Sequence, residues 1–230
     1  GYDGPGSLTV AAGGAVSSAS GVVGYLSDTT GTATVTGTGS SWTNSGVLTV
    51  GLFGTGTQTI ADGGAVSSAN GIIGHLDGTG TVTVTGTGST WNNSFSLYVG
   101  SYGSGTLSIE AGGSVSNTTG HIGSSAGGIG TATVTGTGST WTDSSELHVG
   151  SYGTGTLTIA AGGSVSNTTG FIGRYTGSNG TVIVTGSGST WTNSLSLRVG
   201  VGGTGTLTVA DGGSVSNSLG SIGADREREK

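Results

Sequence analysis

The sequence contains no cysteine and no methionine, and its single proline is Pro5. Without cysteine the chain cannot form a disulfide, a thiolate metal site or a thiol nucleophile. No run of 18 apolar residues, signal peptide or lipidation motif is visible, so membrane insertion of this segment is not predicted.

Charge is scarce as well. Charged residues make up 7% of the 230 residues, and the formal net charge is −6. The basic residues are Arg174, Arg198, Arg226, Arg228 and Lys230. So few cations provide neither an electrostatic footprint for nucleic acid nor a polybasic patch for a membrane surface.

Glycine is abundant, with 53 residues, a composition typical of flexible linkers. Recurring apolar residues argue against a linker, because tryptophan returns every 49 to 50 residues at Trp42, Trp91, Trp141 and Trp191. A half-period exists too: alignment of neighbouring segments superposes Leu157 on Val182, 25 residues later. The chain is therefore predicted to contain about nine coils of about 25 residues, of two alternating types.

Within a coil, apolar and small polar residues alternate over three short runs that glycine-rich corners separate, which indicates half-buried strands. We predict an all-β fold, a parallel β-helix with three short strands per coil, roughly 43 Å tall at a coil spacing of about 4.8 Å. Residues 1–224 would form one domain, and 225–230 a charged tail or cap. The side chains predicted to face inward are Leu157, Ile159, Val165 and Ile172 in one coil type and Val182, Val184, Trp191, Leu195, Leu197 and Val199 in the other.

A polar column is predicted at one corner, two residues after each valine or tryptophan. Its members are Ser18, Asn44, Ser68, Asn93, Asn117, Asp143, Asn167, Asn193 and Asn217. Asparagine tolerates a left-handed backbone and can bond to its counterparts above and below, which favours a structural ladder over a ligand-binding column. The tryptophans align with valines of the alternate coils, so core packing is favoured over carbohydrate stacking.

Two columns of threonine are predicted to face outward. The first is Ser7, Thr32, Thr57, Thr81, Thr106, Thr131, Thr156, Thr181 and Thr206, and the second is Thr9, Thr34, Thr59, Thr83, Ser108, Thr133, Thr158, Ile183 and Thr208. Their expected spacing, about 4.8 Å by 6.8 Å, resembles the ice-binding face of antifreeze solenoids. The structural alternative is that β-branched threonine favours strands and stacks well on itself.

Signs of catalysis are weak. No two carboxylates coincide in the 25-residue register, and Glu146 with His148 and Arg198 is the best constellation present. The histidines His75, His121 and His148 occupy different positions of the repeat, so no metal site is predicted. We predict a non-enzyme without a cofactor. Carbohydrate binding stays open as a further alternative, with Tyr98, Tyr102 and Tyr152 as a platform.

The strings "GTGTLTIAAGGSVSN", "GTATVTGTGSTWT" and "LHVGSYGTGT" resemble the tandem repeats of bacterial type V secretion (autotransporter) passengers and of surface proteins with PEP-CTERM sorting signals. The resemblance extends from about Gly6 to Gly223. It implies a right-handed β-helix on the bacterial cell surface or outside the cell, and a structural or adhesive function.

The partners expected from this resemblance are a host surface, a glycan or ice. The absence of oxidisable sulfur also fits an exported protein. Open strand edges at the ends of such a rod would allow end-to-end self-association into filaments.

Overall fold

The computed structural model describes residues 4–223, so the predicted tail at 225–230 lies outside the described residues. All regular structure within 4–223 is β-strand. The strands follow one another in nine coils, numbered 1 to 9 from the N-terminal side, and pair with the equivalent strands of adjacent coils. This confirms the predicted parallel β-solenoid with coils of about 25 residues.

Coils 1 to 3 contain β1 (Gly6–Val10), β2 (Ala15–Ser18), β3 (Gly21–Val23), β4 (Thr30–Thr36), β5 (Ser41–Asn44), β6 (Val47–Val50), β7 (Thr55–Ala61), β8 (Ala65–Ser68) and β9 (Asn70–Ile73). Coils 4 to 6 contain β10 (Thr79–Thr85), β11 (Thr90–Asn93), β12 (Ser96–Val99), β13 (Ser104–Glu110), β14 (Ser114–Asn117), β15 (Thr119–Ile122), β16 (Ile129–Thr135), β17 (Thr140–Asp143) and β18 (Glu146–Val149). Coils 7 to 9 contain β19 (Thr154–Ala160), β20 (Ser164–Ile172), β21 (Asn179–Thr185), β22 (Thr190–Val199), β23 (Thr204–Ala210) and β24 (Ser214–Ile222).

The first strands of all coils form one nine-stranded parallel sheet, in the order β1-β4-β7-β10-β13-β16-β19-β21-β23. The second and third strands form a larger parallel sheet, and in coils 7 to 9 they run together as β20, β22 and β24. Leu157 lies opposite Val182, as the 25-residue alignment predicts.

Left-handed backbone occurs at corners between the first and second strands, where Ala161 has φ 49° and Gly162 has φ 87°. Among the described residues no asparagine has positive φ. The left-handed backbone predicted for the asparagine column is therefore wrong. In odd-numbered coils alanine or aspartate followed by glycine makes this turn, and in even-numbered coils two glycines such as Gly37 and Gly39 make it.

The inward faces form one continuous apolar core from Val10 to Val199. The predicted inward residues of coil 7 are fully buried, and those of coil 8 are also buried, with one exception. Leu195 is the exception, because it is 58% exposed. It lies where β22 has one residue more than β20, between Asn193 and Ser196, and this bulge turns the side chain outward.

A tryptophan–glycine pair explains why the repeat is two coils long. Trp91 is fully buried between Val66 and Val115 of the adjacent coils, as predicted, which excludes it as an exposed sugar platform. A methyl group added at Gly71, in the preceding coil, would lie 2.6 Å from Trp91 Cζ2. The indole thus occupies the volume that a side chain would need one coil below, and coils with tryptophan must alternate with coils without it.

The polar column lies inside the solenoid for most of its length. Asn44, Asn93, Asn117, Asp143, Asn167 and Asn193 are at most 5% exposed, while Asn217 is exposed. Its members bond between coils; Asn167 Nδ2, for example, donates to Asn193 Oδ1 at 2.7 Å. The tryptophan indole also donates into the column, as from Trp191 Nε1 to Asn167 Oδ1 at 2.7 Å. The column therefore satisfies the one polar atom of each buried indole.

Candidate binding groove

An aromatic column runs along the outer surface of the third strands in coils 4 to 7. Tyr98, His121, His148 and Phe171 lie opposite one another in the parallel register. Their rings stack with centroid separations of 4.8, 4.8 and 5.0 Å and interplanar angles of at most 7°. Because the coils are one strand spacing apart, side chains at this position stack face to face. His148 and Phe171 are buried, while Tyr98 and His121 are half-buried.

Both histidines of this column are neutral near pH 7. Burial lowers the pKa of His121 to about 3, and the neighbouring His148 and Arg174 contribute to the same direction. Burial also lowers the pKa of His148 to about 3, with a further contribution from Arg174. The column thus presents polar but uncharged imidazoles.

Arg174 closes one end of the column. Its Cζ lies 4.2 Å from the centroid of the Phe171 ring, and its Nη1 lies 3.1 Å from His148 Nδ1. Glu146 Oε2 lies 2.9 Å from His148 Nε2 and 3.2 Å from Arg174 Nη1. Arg174 Nη1 is equally close, at 3.1 Å, to His148 Nε2, so the guanidinium lies against the imidazole while it donates to Glu146.

This cluster corrects the predicted constellation. Glu146 and His148 are in contact as expected, but the cation beside them is Arg174 from the following corner. Arg198 lies one coil further on, with its Cζ 5.6 Å from the Phe171 centroid. The Glu146 carboxylate is thus already paired with a guanidinium.

A second column of side chains lies at the corner that follows each third strand. Tyr102, Tyr152 and Tyr175 occupy it in coils 4, 6 and 7, and Ser125 occupies it in coil 5. Tyr152 and Tyr175 stack at 4.3 Å, while Tyr102 and Tyr152 are 56% and 53% exposed. The space between this corner column and the strand column is an open groove of about 600 Å³.

The floor of the groove is made of serines. Ser101, Ser124 and Ser151 each follow the corner glycine of their coil and line the groove. Ser101 and Ser151 are buried, and Ser151 Oγ has no hydrogen-bond partner in the part of the chain that the structure describes. A groove with aromatic walls and a hydroxyl floor can contact apolar and polar parts of one ligand at the same time.

The predicted threonine columns lie elsewhere, on the outer surface of the nine-stranded sheet. Thr81 and Thr83 of β10 face outward between the buried Gly80, Val82 and Val84. The same strands carry two flanking outward columns that the sequence analysis missed, so this face is four side chains wide. The flanking threonines are Thr30, Thr55, Thr79, Thr154 and Thr204 on one side and Thr36, Thr85, Thr135 and Thr185 on the other.

Other predicted sites remain separate from the groove. His75 contacts Tyr102 edge to face at 5.8 Å but belongs to the coil before it. Among residues 4–223 no three His, Cys, Asp or Glu side chains lie close enough together to hold a metal ion. No helix in that part of the chain is long and apolar enough to cross a membrane.

Sequence reasoning missed Arg174, Tyr175, His121 and Ser125 as parts of one site. The sequence does contain a pattern that could have revealed the corner residues. The two residues after each corner glycine occupy equivalent positions, as in Gly150-Ser151-Tyr152 and Gly173-Arg174-Tyr175. Extending the 25-residue register from the strands into these corners would have aligned Ser151 with Arg174 and Tyr152 with Tyr175.

The fold is a β-solenoid with an open groove along its side. No protein-family model matches the chain, and neither does any curated protein. One solved structure to which it is similar is described as a TibC-catalysed, hyper-glycosylated fragment of TibA. The two are 19% identical, with a TM-score of 0.28 over 96% of this chain and 92% of that one.

Proposed function

We propose that this chain is a rod-like, adhesive segment of an exported bacterial surface protein, and that its groove is the adhesive surface. The observation that carries this function is the unbroken core from Val10 to Val199, beside which the groove lies. The resemblance of the repeats to autotransporter passengers and PEP-CTERM surface proteins supports an extracellular or cell-surface location.

Mechanical stiffness follows from how the coils are joined. Each interior strand bonds to the equivalent strands on both sides, and the nine-stranded sheet runs through all its strands without a register shift. Tryptophan in one coil fills the space above glycine in the previous one, so adjacent coils cannot slide past each other. Such a rod holds a side-facing groove at a fixed height and orientation.

The groove is better suited to binding than to catalysis. Glu146 is the carboxylate beside it, and Arg174 already pairs with this group at 3.2 Å. A hydrolytic site would need a second carboxylate at a defined distance to supply both acid and base. We therefore assign recognition, with no reaction, to this surface.

Bead adhesion and solution scattering test this function together. The 230-residue chain is coupled to beads, and adherence is counted on epithelial monolayers, on matrix-coated glass and on polysaccharide-coated glass. We expect an elongated particle in small-angle X-ray scattering and adherence to at least one surface. A compact particle, or beads that adhere no better than albumin-coated beads on all three surfaces, would overturn the proposal.

Ice binding is the second candidate, because the threonine face is wider than the sequence indicated. Its strands pair without a bulge, and threonine or serine repeats in three columns that Ile129, Asn179 and Ile183 interrupt. In the fourth column threonine alternates with Ala61, Glu110, Ala160 and Ala210. Thermal hysteresis of the wild type tests it. Activity lost in Thr83→Tyr but kept in Ser166→Tyr, on the other sheet, would support ice binding, and an inactive wild type would end it.

A further inference from the structure

The corner column of the groove has a gap one coil high. Tyr102 and Tyr152 lie two coils apart, and the coil between them contributes only Ser125 at that position. Two coil spacings are roughly 9.6 Å, which leaves room for one ring between the two tyrosines. Both tyrosines are more than half exposed, so their surfaces are available to such a ring.

The gap lies beside a buried hydroxyl whose hydrogen-bonding capacity is unused. Ser151 is 4% exposed, and its Oγ has no partner among the described residues. A buried hydroxyl without a partner is uncommon and costs free energy, because water no longer solvates it. Ser124, Ser125 and His121 line the same space and add further donors and acceptors.

Formal charge in the groove is balanced. Among residues 4–223, Arg174 is the one cation that lines it, and Glu146 compensates that charge at 3.2 Å. His121 and His148, which also line the groove, are uncharged at neutral pH because burial lowers their pKa values. A charged ligand would find no uncompensated opposite charge here, which favours a neutral one.

We infer that the gap above Ser125, between Tyr102 and Tyr152, binds a single neutral pyranose ring of a glycan. This inference rests on the adhesive function proposed above, whose ligand class it names. A pyranose has two faces of C–H groups, which suit aromatic side chains, and an edge of hydroxyls, which suits Ser151, Ser124 and His121. An aromatic side chain of a peptide would fill the same gap but would leave Ser151 Oγ unpaired.

Ser125→Tyr is the decisive variant, because it completes the tyrosine column and fills the gap without removing any contact. The wild type is applied to an array of neutral hexose and N-acetylhexosamine oligosaccharides that also carries sialylated and uronic-acid glycans. We expect binding to neutral glycans and a loss of at least about tenfold in affinity in Ser125→Tyr. Phe95→Ala is the matched control, since Phe95 is an exposed aromatic at a corner outside the groove.

Ser151→Ala supplies a second measurement by removing only the unpaired hydroxyl. We expect it to weaken glycan binding about three- to tenfold while thermal stability stays equal or rises, because the folded protein no longer buries an unbonded polar atom. Unchanged affinity in both Ser125→Tyr and Ser151→Ala would overturn the inference, and so would binding to acidic glycans alone or to none.

The bead assay separates the two proposals. If wild-type beads adhere and Ser125→Tyr beads adhere equally well, the rod is adhesive but its groove does not bind a sugar ring. If the wild type binds neutral glycans on the array but its beads adhere to none of the three surfaces, the ligand class stands and the adhesive function fails.

Discussion

Two columns of stacked side chains run along this solenoid, and they obey different rules. In the inner stack tryptophan alternates with valine from coil to coil, as Trp91 does with Val66 and Val115, and the indole lies over Gly71, sealed from solvent. The outer stack contains tyrosine, histidine and phenylalanine in coils 4 to 7 and borders an open groove. The inner residues repeat strictly because each coil must pack against the next. The outer residues are free to vary, so a particular group of coils can present a surface that the other coils lack.

Trp91→Ala breaks the inner stack and should have the largest effect. It removes a fully buried indole and leaves a cavity between Val66 and Val115, which costs about 3–5 kcal/mol of unfolding free energy. Urea unfolding followed by circular dichroism measures the loss. Phe95→Ala, at an exposed corner, should change stability by less than about 0.5 kcal/mol; a similar loss in both variants would contradict the distinction.

The outer stack should make the rod sensitive to acid. Burial lowers the pKa of His121 to about 3, while in the unfolded chain it is about 6.5. The unfolded state therefore binds more protons between these values, so stability falls as the pH drops from about 6.5 to 3, by up to about 2 kcal/mol at pH 5.

His121→Phe should make this dependence less steep, since His148 still contributes to it, and should keep the stack between Tyr98 and His148. The measurement is the unfolding free energy of both proteins from pH 7.5 to 4. His148→Phe is a less clean variant, because it also removes the contacts with Glu146 and Arg174. If the unfolding free energies of the wild type and His121→Phe changed in parallel with pH, burial in the outer stack would not lower the pKa of His121.

The inner polar column should respond to pH in the opposite direction. Burial raises the pKa of Asp143 well above its ordinary value, and interactions with Asn117 and Trp141 offset part of the rise. The folded state then binds more protons above the unfolded pKa of about 3.9, so stability falls as the pH rises from there, by at most about 1.4 kcal/mol per pH unit.

Coils 4 and 8 have asparagine, Asn93 and Asn193, at the position that Asp143 occupies in coil 6. Asp143→Asn therefore introduces the residue that is already present in equivalent coils. The variant should match the wild type near pH 4 and exceed it increasingly toward pH 8, as thermal unfolding across that range can show. A wild type whose advantage over the variant grows with pH would mean that the carboxylate is stabilised in the column after all.

The sequence predicted the inner surface well, because strand alternation and a fixed register determine it. The pairing of Leu157 with Val182 and the position of Trp91 between valines both follow from the repeat. Leu195 was misplaced because an extra corner residue changes the direction of a side chain without changing the apolar pattern.

The outer surface was less predictable. The strand alignment predicts Arg198 as the cation near Glu146, because Arg198 lies on a strand and can be aligned with it. Arg174 lies in a corner, which the alignment did not cover, and the corner brings it to within 3.2 Å of Glu146. The gap in the corner column exists because Ser125 is small where Tyr102 and Tyr152 are large. An alternating pattern of apolar and polar residues does not reveal such a difference in size at a corner.

Ser125→Tyr tests whether the outer surface, unlike the core, can accept a larger side chain. Controls aside, it has the smallest expected effect on stability of the variants considered. Inside the solenoid a methyl group at Gly71 already meets Trp91, Asn93 and Leu97 within 2.8 Å, so the inner stack accepts no addition. At the corner, a tyrosine would join a column in which Tyr152 and Tyr175 already stack at 4.3 Å. Stacking predicts a gain of about 0.5–1.5 kcal/mol, measurable as a small rise in Tm. A loss of similar size would mean that the corner at Ser125 is as tightly filled as the core, and the groove would then have no space for a ligand.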